Sequence, residues 1–205
     1  MEIKLSDWYG LHKPKNKSIT FNFKPGVNFI TGCNGSGKST TIKQIYDFCK
    51  DNDIPVLKID NLLEGRFLLD EALQKGDYEC LAVGAMSSEG QKIRLLINQN
   101  AKKIGEFHHK STASNSIILF DAIDSGLDIP GCNMFKDFFD LICKHQPFAY
   151  IILSFNNYAM IDDIDTRKNY YLHNVQTGEM INISSYEEYK KLITSMGKKI
   201  NNDII

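Results

Sequence analysis

Short apolar or alternating runs at residues 3–5, 19–23 and 27–31 predict three strands, separated by the turn-prone segments HKPKNKS and KPG. The third strand runs into the glycine-rich stretch GCNGSGKST. Over residues 40–50 that follow, Ile42, Ile45, Tyr46 and Cys49 recur at helical spacing. The local order is therefore strand, glycine loop, helix. Residues 55–59 predict another strand and 67–73 a short helix, and a helix starting near Ser88 carries Ile93, Leu96 and Ile97 between Lys and Gln residues toward position 104. The uninterrupted apolar runs at 117–120 and 150–153 predict central strands covered on both faces. A helix over 134–143 lies between them, strands at 170–172 and 180–183 flank the QTGE turn, and an amphipathic helix over 186–193 follows. The polar GKKINND segment at 197–203 is expected to fray. Strands alternating with helices after the glycine loop predict a mostly parallel α/β sheet flanked by helices, with antiparallel strands at the start and the end. The whole of 1–205 reads as one domain.

Composition narrows the function classes. At 42% hydrophobic and 24% charged the chain has matter for a core, and 24 basic against 25 acidic residues leave a net charge of −1. No broad basic field draws it to nucleic acid or anionic lipid. The five cysteines form no CxxC pair, which fits a reducing compartment. No apolar run reaches the roughly 18 residues of a membrane span, so a cytoplasmic location without a membrane partner is expected. His108 and His109 adjoin in GEFHHKST, but neighbouring side chains point apart and no ligand stands at metal-binding spacing.

The chemistry centres on residues 32–39, GCNGSGKS, which satisfy G-x-x-x-x-G-K-[ST] between a strand and a helix. Glycines let backbone N–H groups curl around a phosphate, the helix adds the positive end of its dipole, Lys38 neutralises phosphate oxygens, and Ser39 can ligate Mg2+. Asn34, Gly35, Ser36, Gly37 and Thr40 complete the predicted cradle. Asp121, at the end of the apolar strand 117–120, is positioned as the Walker B carboxylate that holds the Mg2+ shell.

NGSGKST at 34–40, SSEGQ at 87–91 and ILFDAIDSGLD at 118–128 together resemble the ATP-binding domain of the ABC ATPase class, closer to its soluble SMC and RecF branch than to its transporters. Small ATPases of bacteria and phages carry a similar Walker B stretch. The resemblance runs in order along the whole chain and implies a P-loop NTPase fold. It also implies that two copies sandwich two ATP molecules. Ser88, Gly90 and Gln91 resemble the signature that faces the opposite subunit's γ-phosphate, within a helical subregion at about 62–112, and 124–128 is similar to the D-loop. A strand-turn-strand-helix unit at about 168–196 follows.

Three departures from that pattern matter. The family places Glu directly after the Walker B Asp, but here the position is Ala122, which accepts no proton, so hydrolysis is expected to be slow. Asp124 is the substitute carboxylate, with Glu89 delivered across a dimer as the alternative. The switch histidine is absent from SFNN at 154–157, where the amide of Asn156 or Asn157 is the candidate to reach a γ-phosphate or a water. Only about 50 residues separate Lys38 from Ser88, which excludes the long coiled-coil arm and leaves Gln74 as a nominal Q-loop residue. Trp8, Tyr9 and His12 either stack on adenine or join the core.

The leading expectation is a soluble ATP-binding protein that dimerises on Mg-ATP, hydrolyses it slowly and gates a nuclease, another effector subunit or a DNA transaction, although the net charge gives DNA binding no support. The alternatives are a non-hydrolysing ATP-sensing module and a small nucleotide kinase. Against the kinase, Arg66, Arg94 and Arg167 form no lid-like cluster.

Overall fold

Every residue of β3 (Gly26–Thr31), β5 (Ile117–Asp121) and β6 (Tyr150–Ser154) is buried, which requires these strands to lie inside a sheet covered on both faces. The computed structural model describes residues 1–5, 18–60, 89–110 and 115–202. In it the three strands are central to a six-stranded sheet of order β4-β5-β6-β3-β7-β8, where β4 is Val56–Asp60, β7 is Tyr170–Asn174 and β8 is Met180–Ile181. All neighbours are parallel except β7 and β8. β1 (Glu2–Leu5) and β2 (Ile19–Asn22) pair antiparallel in a ribbon of their own. The expected mostly parallel sheet with antiparallel strands at both ends is therefore present.

Side chains on successive strand positions point to opposite faces. Val27, Phe29, Ile118, Phe120, Ile151 and Leu153 meet Cys132, Phe135 and Phe139 of α3 (Ile129–His145). Ile30, Ile117, Leu119 and Ile152 meet Ile42, Ile45 and Cys49 of α1 (Lys38–Asp51), and the β1–β2 ribbon adds Ile3, Leu5, Ile19 and Phe21 to that same layer. α2 (Glu89–Lys110) leans on β4 and α3, and α4 (Tyr186–Asn202) sends Tyr189 into the α3 layer.

Two helix limits differ from the sequence reading. α3 starts at Ile129 because the Asp128 carboxylate accepts a hydrogen bond from Gly131 N at 2.8 Å and Pro130 suits a first turn. α4 runs to Asn202, through the segment expected to fray, with Met196 buried one turn beyond the predicted end. The short helix expected at 67–73 lies outside the described residues, as do Trp8, Tyr9, His12 and Gln74. Among the described residues no helix is long and apolar enough to cross a membrane.

The connections bring one end of the sheet to a focus. From β3 the chain crosses to the edge strand β4, returns through β5 and β6, and passes β3 again to form β7. Loops leaving the carboxyl ends of β3, β5 and β6 are thus neighbours, the place where open α/β sheets take ligands. Midway along α3, buried Lys136 pairs with Asp162 at 2.6 Å and Asp163 at 2.9 Å, fastening α3 to the segment after β6.

Polar burial within the sheet has a measurable consequence. Asn28 of β3 donates to Lys24 O at 2.8 Å and sits 3.2 Å from His173 Nε2, whose ring packs against Phe23. Burial pulls the His173 pKa down to about 4. An unfolded histidine titrates near 6.5, so below that pH the unfolded chain takes up a proton that the native state refuses. Stability is therefore expected to fall by about 3 kcal/mol as pH drops from roughly 6.5 toward 4, with no contribution from this group above that window. Urea unfolding at pH 7, 5.5 and 4.5 should show a flatter dependence for His173→Phe; identical slopes would contradict the assignment.

Candidate functional site

The site is built on the loop between β3 and α1. Gly32 is required by close approach, since a Cβ there would lie 2.4 Å from Ser36 Oγ and 2.5 Å from Val175 Cγ1. Gly35 and Gly37 have φ of 76° and 95°, left-handed conformations that glycine adopts without strain. The loop closes through Ser36 N donating to Cys33 O at 3.1 Å. α1 begins at Lys38 with no side-chain cap and no acidic residue in its first turn, so its positive end is left for an anion. Ser36 Oγ is buried without a hydrogen-bond partner, close against the Gly32 backbone. Strand, loop and helix have the geometry of a phosphate-binding loop. This is a P-loop fold.

Lys38 is 9% exposed and its ammonium donates to the P-loop's own carbonyls, Gly32 O at 2.7 Å and Cys33 O at 3.1 Å. Burial pulls its pKa below the ordinary lysine value, while the charges of Cys33, Asp124 and Asp121 oppose that shift. Ser39 Oγ donates to Asp121 Oδ1 at 3.0 Å, joining the P-loop to the end of β5 across 82 residues of sequence. The hydroxyl and the carboxylate that the sequence paired are thus brought into contact.

Past Asp121 the chain turns sharply. Ala122 has φ of 49°, and the turn is closed by Ser125 N donating to Ala122 O and Leu127 N to Asp124 O, both at 3.1 Å. This folds the Asp124 carboxylate inward, 5% exposed, where Oδ2 accepts from the backbone amides of Asn156 at 2.7 Å and of Asn157. Its Oδ1 is buried with no partner. Burial pushes the Asp124 pKa above the ordinary carboxylate value, against the pull of those two amides and the Lys38 charge. Asp124 thus has one oxygen anchored by two amides and the other enclosed without a partner.

The two candidate asparagines are separated by their roles. The Asn157 side chain accepts from Ala159 N at 3.0 Å and donates to Leu127 O at 3.4 Å, serving as the cap of a 3-10 turn at Tyr158–Met160. The Asn156 side chain is exposed, and its backbone carbonyl accepts from Tyr189 OH of α4 at 3.3 Å. Phe155, between Ser154 and Asn156, is fully buried against Phe29 and Tyr189. Asp128 of the D-loop-like stretch caps α3, as described above. Gly90 and Gln91 stand in the first turn of α2; Ser88 lies outside the described residues.

Ser154 and Tyr189 escape the sequence reading. Ser154 Oγ donates to Asp121 Oδ1 at 2.6 Å and accepts from Ala122 N at 2.8 Å. The available signal was a lone hydroxyl ending an otherwise apolar strand. Tyr189 looks like any apolar position of an amphipathic helix, and only its place over the β6 end reveals its hydroxyl.

No family model matches the chain, and no curated protein matches it. Among solved structures it is similar to a DNA replication initiation factor, at 16% identity over 86% of this chain and 46% of that one with a TM-score of 0.40. The chain spans less than half the length of that protein. It is also similar to cbiO1 from Clostridium perfringens, part of the ABC transporter complex cbiONQ, at 14% identity over 98% of this chain and 96% of that one with a TM-score of 0.45. A further similar structure is the ADP conformation of MJ1267, an ATP-binding cassette of an ABC transporter, at 16% identity over 97% and 98% of the two chains with a TM-score of 0.44.

Proposed function

We propose that the protein binds Mg-ATP on the P-loop, hydrolyses it slowly, and uses an ATP-dependent homodimer of the ABC type to gate a partner, such as a nuclease, another effector subunit or a DNA transaction. The contact between Ser39 and Asp121 carries this reading, because it places a P-loop hydroxyl on the strand-end carboxylate. The residues fit the ligand: the orphaned Ser36 Oγ, the glycine cradle and the uncapped start of α1 all suit phosphate oxygens. Asn34, Gly35, Ser36, Gly37, Lys38, Ser39 and Thr40 would hold the nucleotide, and Ser39 with Asp121 the cation. When bound, Mg2+ neutralises charge on the phosphate oxygens. Lys38 supplies a second positive charge to the same oxygens. Asp124 orients the attacking water, and the exposed Asn156 amide is available to the γ-phosphate or that water.

Ser88, Gly90 and Gln91 of one copy would close on the phosphate held by the other. Light scattering with Mg-ATP, with Mg-ADP and without nucleotide is expected to show the mass doubling only with Mg-ATP. Ser88→Arg should keep nucleotide binding and weaken dimerisation by roughly tenfold or more, since a bulky cation enters a junction that must desolvate. A variant that dimerises as well as the wild type would sink the signature assignment.

Ala122 favours a second reading, a non-hydrolysing ATP sensor, because its methyl group stands where a base would otherwise follow Asp121. A nucleotide kinase has less behind it. Arg167 is bound to Asp163 at 2.8 Å and also pairs with Asp140, beside Tyr170 at the amino end of β7 and away from the P-loop.

A further inference from the structure

The hydroxyl of Ser154 makes two hydrogen bonds at the end of β5. It is 2% exposed, donates to Asp121 Oδ1 at 2.6 Å and accepts from Ala122 N at 2.8 Å. These two roles are compatible in one orientation only: the lone pair facing Ala122 N–H leaves the O–H bond for Asp121. Ser39 Oγ donates to the same oxygen at 3.0 Å. Asp121 Oδ1 therefore has two hydroxyl partners with different futures. Ser39 belongs to the P-loop, and its oxygen is one that a cation would claim. Ser154 belongs to the strand between β3 and β5, and nothing in the phosphate cradle calls on it.

We infer that Ser154 is a positioning residue for the Mg2+ shell: it keeps the Asp121 carboxylate aimed after Ser39 is engaged by the cation, and it pins the left-handed Ala122 so that the turn carrying Asp124 stays closed. The inference rests on the Mg-ATP reading above. Its physical basis is that a carboxylate in a metal site depends on outer hydrogen-bond partners for its orientation, and loss of such a partner weakens metal affinity by about 10- to 100-fold. The second part follows from backbone sterics. A non-glycine residue at φ of 49° is held there by its surroundings, and the Ser154 bond to Ala122 N is the side-chain contact that does so.

The test measures binding rather than turnover. A fluorescent ATP analogue is titrated into wild type, Ser154→Ala, Ser154→Cys and Ser154→Thr, first in EDTA and then against rising Mg2+. Thermal melts confirm that each variant is folded. In EDTA all four are expected to bind the analogue alike, whereas the Mg2+ concentration for half-maximal tightening rises about tenfold or more in Ser154→Ala and Ser154→Cys and returns toward wild type in Ser154→Thr, which restores the hydroxyl. Unchanged Mg2+ midpoints in the Ala and Cys variants overturn the assignment. Equal weakening with and without Mg2+ overturns it too, because that is the signature of a general packing role. A wild-type chain that binds no nucleotide under any condition overturns the Mg-ATP reading and this inference with it.

Discussion

Lys38→Ala is expected to lower ATP affinity by about a hundredfold or more, the largest binding effect of any single change in the site, because it deletes a charge-assisted contact to phosphate oxygens from a low-dielectric setting. The position of the side chain explains why so little of the effect should appear in folding. Its ammonium rests on Gly32 O and Cys33 O, carbonyls of the loop itself, and burial works against its charge. Truncation removes those two hydrogen bonds and relieves a desolvated cation, contributions of opposite sign. The melting temperature without nucleotide should therefore shift by only a few degrees, while the increase in melting temperature on adding Mg-ATP disappears. Calorimetric titration with ATP and thermal melts with and without it check both halves. A variant that still binds ATP within a few-fold of wild type would remove the P-loop from the account.

The same separation of local from long-range information decides what was legible in the sequence. The P-loop could be read from residues 32–39 because all its parts are contiguous, and the central strands because burial on both faces leaves long apolar runs with nothing polar between them. The pairing of Ser39 with Asp121 was also within reach, since a fixed motif and a strand-end carboxylate imply each other. Ser154 was not. Its contact with Asp121 exists only because β6 inserts between β3 and β5, and strand order is not written in any one segment. The start of α3 was misplaced for a related reason. Asp128 reads equally well as the end of a D-loop and as a helix cap, and only its bond to Gly131 N shows that it performs the second role. The far end of α4 was missed because Lys, Asn and Gly at 197–203 suggest fraying, whereas burial of Met196 anchors the preceding turn and the helix continues.

Asp124 tests whether the protein turns ATP over at all. Replacing it with Asn keeps the shape and one oxygen able to accept from the amides of Asn156 and Asn157, but removes proton affinity. Turnover should fall by about 100-fold or more, the usual share of a positioned base. Stability should move the other way. Burial raises the native pKa of Asp124 above its unfolded value, so its contribution is most favourable at low pH, where the group is neutral in both states, and is lost as pH rises through the native pKa. At pH above that raised pKa the native state carries a buried charge that Asn does not, and there Asp124→Asn should melt higher than wild type. Asp124→Ala behaves differently, since it leaves two backbone amides without an acceptor and is expected to lose about 2 kcal/mol or more. The pH profile supplies an independent check: wild-type turnover should decline as pH falls through the raised pKa of Asp124, and the low residual rate of Asp124→Asn should show no such inflection. More stable and slower is the combination expected of a catalytic carboxylate held in an unfavourable place. Higher stability with unchanged turnover would move hydrolysis to another group, and ATP binding without turnover in the wild type would favour the sensor reading, with Asp124 serving to hold the β6 loop.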